Sequence, residues 1–244
     1  MNYASQIIFS ALAALIALTV HEAAHGYTAY RLGDPTAKSL GRLTLNPIKH
    51  IDPFGAVCMV LFHFGWARPV PINPRYFKKP KRDFALTALA GPVSNLLLAL
   101  ISALGYLLTV KGFSGVVFNS ELALKLALNL TVFVYTFHAV NLGLAVFNLI
   151  PVPPLDGSRL LNVILPTRLY FKVMRYERQI YLALVGWLLL GDIVKNALLS
   201  VPLIASSPVL SAVAGIFSLS DVLGLLMVKL SGLIFSFWEL FPFI

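Results

Sequence analysis

Residues 7–30 read IIFSALAALIALTVHEAAHGYTAY, and no Lys or Arg precedes them. The run is apolar enough for a membrane, and 24 residues at about 1.5 Å each span roughly 36 Å, sufficient for a bilayer core of about 30 Å with some tilt. A cleaved signal peptide does not fit: the basic leading region is missing and the run continues through His21 to Tyr30. Inside this helix sits His21-Glu22-Ala23-Ala24-His25. Positions i and i+4 share a helix face, so the two imidazoles can reach one zinc ion, and Glu22 beside them can serve as general base. Chance produces this pattern in a chain of this length on the order of one time in a hundred. Charged and imidazole groups inside a membrane helix are costly and mark function.

The rest of the chain agrees with a membrane setting. Of its 244 residues, 58% are hydrophobic and only 12% charged, with a mean hydropathy of +0.82. Soluble domains carry about 25% charged residues, so a soluble enzyme and a disordered chain are both excluded. The net charge of +9 could suggest nucleic acid, but the basic residues flank apolar runs and form no separate domain. Ten of the 19 Lys and Arg residues fall in 31–83, and five more in 151–179. That asymmetry is the positive-inside signal. It predicts a multi-pass protein of the cell (inner) membrane with its N-terminus outside and its chemistry toward the cytoplasmic side. A single cysteine, Cys58, excludes an internal disulfide and a CxxC metal site.

The expected fold is an all-α polytopic membrane protein of about five to six transmembrane helices. Spans are predicted at 7–30, 84–110, 122–150 and 180–200. Residues 166–179 are basic and suit a surface helix. Residues 208–241 are one tilted span, or a surface piece followed by a span. The segment 31–83, rich in Gly and Pro, predicts a small re-entrant or β element on the cytoplasmic side. Lys38–Leu45 alternates in period two like a short strand. Residues 56–66 are apolar but short, and Pro69, Pro71 and Pro74 suit an extended edge. Two units follow: a catalytic membrane core at 1–165, and a C-terminal surface helix with further spans at 166–244.

Counting eight residues from Ala23 to Arg31, the metal would lie about 12 Å inside the cytoplasmic end of the first helix. Two histidines leave zinc one protein ligand short of a usual catalytic site. Asp156 fits best, because it follows the third span in Pro151-Val-Pro-Pro-Leu-Asp-Gly157, a stretch that cannot stay helical. His50, Asp52 and His63 in the basic segment, and His138 in mid-helix, are the alternatives. Each also has a structural reading, His138 as a packing histidine or a helix–helix hydrogen-bond donor.

HEAAH together with Phe147–Gly157, FNLIPVPPLDG, resembles the site-2 protease family of intramembrane zinc metalloproteases. The second motif has the family form N-x-x-P-x-P-x-L-D-G, and GPVSN supplies the family's G-x-x-x-N through Gly91 and Asn95. GWARPVPINP is similar to the compact bacterial branch. The resemblance covers roughly 15–160. It implies that His21, His25 and Asp156 hold one Zn2+ per chain and that Glu22 is the catalytic base. It also implies that Asn95 and Asn148 contact substrate backbone or the oxyanion. Helix packing for Asn95 and helix-end capping for Asn148 are equal contenders. The implied substrate is a transmembrane helix of another protein, met within the lipid bilayer. Its unwound backbone could add as a strand to an edge in 37–46 or 62–74. Neither a PDZ domain between the second and third core helices nor a C-terminal CBS domain has room in this sequence. The rival class is a non-proteolytic zinc-stabilised membrane protein, a transporter or an inactive scaffold, in which Asp192, Asp221 and Lys229 would form an ion path.

Overall fold

The computed structural model describes residues 3–55, 67–216 and 218–241. Ten α-helices are used below, in chain order. They are α1 (Tyr3–Arg31), α2 (Thr36–Ser39), α3 (Pro80–Phe113), α4 (Glu121–Asn148), α5 (Gly157–Ile164), α6 (Thr167–Arg175), α7 (Glu177–Leu199), α8 (Pro202–Ser206), α9 (Pro208–Ile216) and α10 (Leu219–Glu239). Among the described residues, five helices are long and apolar enough to cross a membrane: α1 from Ser5, α3, α4, α7 and α10. The chain is thus an all-α polytopic membrane protein.

Local chemistry sets the helix ends. α3 starts four residues before its apolar run because Pro80 is pre-shaped for a first turn and Asp83 accepts the Lys79 N–H at 2.9 Å. Its 34 residues reach about 51 Å, well beyond the hydrocarbon core. Ser120 caps α4 by accepting the Ala123 N–H at 3.1 Å. Ser218 caps α10 by accepting the Asp221 N–H. That cap, with Pro208 opening α9, resolves residues 208–241 into a short helix followed by a span. The basic stretch 166–179 divides likewise, since α6 ends at Arg175 and α7 begins at Glu177.

Segment 31–83 departs from the strand expectation. Lys38 lies in helix α2, not in a strand, and among the described residues β pairing is limited to one isolated antiparallel bridge, Ile51 to Ala67. Short-range caps override the period-two pattern. The fully buried Asp34 carboxylate accepts the Thr36 N–H at 3.0 Å and reaches across to the Asn73 N–H at 2.6 Å. Asn46 accepts the Ile48 N–H, holding Pro47–Lys49 in a 3₁₀ turn. The re-entrant piece expected at 56–66, His63 included, lies outside the described residues.

α1, α3 and α4 form the central bundle. Small residues let their backbones approach: Ala13, Ala17, Ala99 and Ala103 are completely buried. α10 lies against α3 and α4, with Leu223, Met227, Leu230 and Ile234 on Ala99, Leu142 and Val146. His138 ties the three together: its Nδ1 is 2.8 Å from the Ala99 carbonyl oxygen and its Nε2 is 2.9 Å from Ser231 Oγ.

Candidate metal centre

His21 and His25 project from α1 toward α3, both almost fully buried. Each ring is held from behind. His21 Nδ1–H donates to Asn95 Oδ1 at 2.6 Å, and His25 Nδ1–H donates to the Thr87 carbonyl at 2.7 Å. With both protons on Nδ1, both Nε2 atoms point lone pairs forward. They lie 3.0 Å apart, and Asp156 Oδ2 is 3.0 Å from His21 Nε2 and 3.2 Å from His25 Nε2.

Three lone-pair atoms at such spacing repel one another unless a cation lies among them. The spacing suits zinc: ligands on one face of a tetrahedron with bonds of about 2.0–2.1 Å are roughly 3.3–3.4 Å apart. Two imidazoles and a carboxylate, with an open position toward a cavity, are the donor set of a catalytic zinc site.

Two glycines make the approach possible. A Cβ on Gly91 would lie 2.6 Å from His21 Nε2 and closer still to His25 Nε2. Only a residue without one leaves that space open on α3. Gly157 sits against the carbonyl oxygens of Leu149 and Ile150, closer than a side chain allows. The chain after α4 thus folds back tightly and delivers Asp156 to the histidines. Ser158, fully buried, anchors the start of α5 by donating to the Leu155 carbonyl at 2.7 Å.

Glu22 lies on the wall of the same cavity, and its Oε2 accepts the Val70 N–H at 2.7 Å. The cavity holds about 670 Å³ and is lined by Leu18, His21, Glu22 and His25 from α1, by Ala67, Pro69, Val70 and Ile72, by Asn148 and Asp156, and by Tyr181, Leu184, Val185 and Leu188 from α7. Pro154 and Tyr181 also line an adjoining cleft of about 510 Å³ beside Arg175 and Arg178.

The structure brings His21, Glu22, His25, Asp156 and Asn148 to this cavity but not Asn95. Asn95 is completely buried behind His21, and its Nδ2 donates to Asn141 Oδ1 at 3.0 Å. Its amide has no end free for a substrate oxyanion. Asn148 donates to the Leu144 carbonyl at 3.0 Å and still faces the cavity. Of the alternative ligands, those within the described residues lie elsewhere. His50 Nε2–H donates to the Thr44 carbonyl, Asp52 caps the Gly55 N–H, and His138 bridges helices. The ion path does not form as a path: Asp192 and Asp221 gather on Lys195 and on Ser218 and Ser220, where α7 meets α10. Thr87, Val70 and Asn141 escaped sequence reasoning. For Asn141 a signal existed, since it is an amide seven residues before Asn148 in an apolar helix.

α1 and the turn after α4 thus bring two histidines, a carboxylate and a glutamate to one cavity, an arrangement compatible with a metal centre in a membrane bundle. The sequence pattern of peptidase family M50 matches residues 9–191. The chain is 45% identical over 163 residues to YwhC of Bacillus subtilis, whose name describes a candidate zinc metalloprotease; the match covers 67% of this chain and 72% of YwhC. It is 30% identical to Rip2 of Mycolicibacterium smegmatis, similarly named, over 64% of this chain and 57% of Rip2. No solved structure matches the chain. This chain belongs to peptidase family M50, the site-2 protease family. Family and relatives together support a metalloprotease with site-2 protease-type function.

Proposed function

We propose that this protein is an intramembrane zinc endopeptidase that hydrolyses peptide bonds within transmembrane segments of other membrane proteins. The observation that carries the proposal is the meeting of three lone-pair atoms, His21 Nε2, His25 Nε2 and Asp156 Oδ2, within 3.0–3.2 Å of one another inside a membrane-length helix bundle. Zinc held there supplies Lewis acidity, polarising a carbonyl and making a water acidic enough to lose its proton near neutral pH. One ion per chain suffices for the site.

Glu22 is the base: it takes that proton and returns it to the leaving amine. The Val70 N–H aims its carboxylate. Asn95 orients His21 and takes no part in binding substrate, while Asn148, at the cavity wall, keeps its N–H within reach of a substrate carbonyl or oxyanion. The chemistry resides in residues 1–165. α7, in 166–244, closes the cavity with Tyr181, Leu184, Val185 and Leu188. The basic segments support a site toward the cytoplasmic face of the cell membrane.

A membrane helix must unwind to be cut, and its freed backbone groups need partners in lipid. Residues 37–46 hold a helix at their start and do not offer a continuous edge. Residues 67–72 do, but with few free groups. The Val70 N–H is on Glu22, the Arg68 and Pro69 carbonyls are on Arg42, and Pro69 and Pro71 have no N–H. The Ile72 N–H and the Val70 carbonyl are free among the described residues, so an added strand pairs there.

The test is Glu22→Gln. The variant should retain the zinc content of wild type and lose cleavage of a membrane-embedded reporter. Undiminished cleavage, or wild-type protein with no bound zinc, refutes the reading. A transporter or scaffold that uses zinc only structurally would be indifferent to this change.

A further inference from the structure

We infer that Asn141, on α4 and distant from the cavity, is a positioning residue for the metal centre: through Asn95 it fixes which nitrogen of His21 faces the metal. This rests on the zinc reading above. The argument is one of direction. An asparagine amide can face either way in a buried pocket, because its oxygen and nitrogen are nearly the same size. Asn95 facing one way presents Oδ1 to His21 Nδ1 and demands a proton there, which leaves the Nε2 lone pair for the metal. Facing the other way it presents N–H, draws the imidazole proton to Nε2 and blocks ligation.

Asn95 settles this only weakly on its own. Its Nδ2 has a long 3.5 Å contact to the Ala17 carbonyl, while its shorter bond, at 3.0 Å, goes to Asn141 Oδ1, and Asn141 could itself turn. Asn141 Nδ2, however, donates to the Phe137 carbonyl at 2.8 Å, one turn back in α4. A backbone carbonyl only accepts, so the chain of bonds has a fixed sense. It runs from the Phe137 carbonyl through Asn141 and Asn95 to His21 Nδ1, the last link being 2.6 Å. Asn95 and Asn141 are both 0% exposed, so no water competes for either amide. Nothing in zinc binding itself requires an amide on α4. Its placement makes sense as the anchor of a tautomer.

The test uses the full chain in detergent or nanodiscs, with zinc affinity measured by competition against a chromophoric chelator. Asn141→Leu removes the anchor at similar size and should weaken zinc binding about tenfold, within the range seen for outer-shell partners. Asn141→Asp keeps an acceptor toward Asn95 and should retain wild-type affinity, which also covers the case in which the Leu variant fails to fold. In an Asn95→Asp background the carboxylate has no N–H end to present to His21, so adding Asn141→Leu should cost nothing further. Equal zinc losses in both backgrounds, or none in either, overturn the inference. His21→Ala is the control for the zinc reading itself: if wild type and His21→Ala bind zinc alike, that reading fails, whatever Asn141 does.

Discussion

The Glu22 carboxylate accepts a 2.7 Å hydrogen bond from the Val70 backbone N–H, and prolines flank Val70 on both sides. From Pro69 to Pro71 only Val70 has a backbone hydrogen to give to the site, because the two prolines have none to offer. The bond couples the proposed base to the edge against which a substrate would lie. Val70→Pro deletes that donor along with the buried Val70 side chain, and cleavage should fall about tenfold to a hundredfold, as for loss of a partner that orients a catalytic group. Zinc content should stay at the wild-type level, because the His21, His25 and Asp156 contacts are untouched. A cleavage assay run beside metal analysis decides this, and an unchanged rate would show that Glu22 needs no such support.

Gly91→Ala should empty the metal site. The added methyl lies 2.6 Å from His21 Nε2 and forces both imidazoles off their common point. Alanine favours a helix over glycine by about 1 kcal/mol, so α3 itself is not weakened. The expected result is sub-stoichiometric zinc with unchanged helical content by far-ultraviolet circular dichroism.

Gly157→Ala acts on the third ligand through the backbone. A Cβ there meets the Leu149 and Ile150 carbonyl oxygens, neither of which can swing away as a side chain would. The fold after α4 must shift, at a cost of about 1–3 kcal/mol. Asp156 moves with it. Thermal unfolding should come earlier in the variant, and zinc affinity should fall as well.

Zinc retention should depend on pH in one direction. Ligand histidines must be neutral to bind a metal, so acidification releases zinc as the two imidazoles take up about two protons. The Asp156 carboxylate adds to that loss only at the lower pH where carboxylates take up a proton. Zinc content after dialysis across mildly acid pH checks this. Release that began only where carboxylates titrate would contradict it.

His138→Phe separates stability from chemistry. It removes the bridge from Ala99 on α3 to Ser231 on α10 and leaves the Ser231 hydroxyl without that partner, at a cost of about 1–3 kcal/mol. Melting should fall while zinc per folded chain holds at the wild-type value.

The histidines and Glu22 were legible because their relation is local: i and i+4 on a helix face need no tertiary knowledge. Asp156 was legible by depth and by its cost in an apolar chain. What surrounds them was not. Asn95 and Thr87 meet His21 and His25 across helices, and Asn141 meets Asn95, at separations that the sequence does not encode in any period. Asn95 was visible as part of a motif, but whether it faces substrate or a histidine depends on the rotation of α3. The stretch at 38–45 misled because its alternation is weak and the caps at Asp34 and Asn46 decide the local backbone. Four spans were readable from apolar runs alone, their ends moving by a few residues wherever a proline, an aspartate or a serine cap took over; the fifth, α10, was readable only as one of two readings of 208–241.

Mapping the cut by mass spectrometry tests the central claim most directly. The purified chain, reconstituted in proteoliposomes with a single-span reporter, should cleave a bond inside the reporter's apolar span, toward its cytoplasmic half, and Glu22→Gln should leave the reporter whole. A cut confined to the water-exposed flanks, or an identical fragment from both proteins, would contradict it.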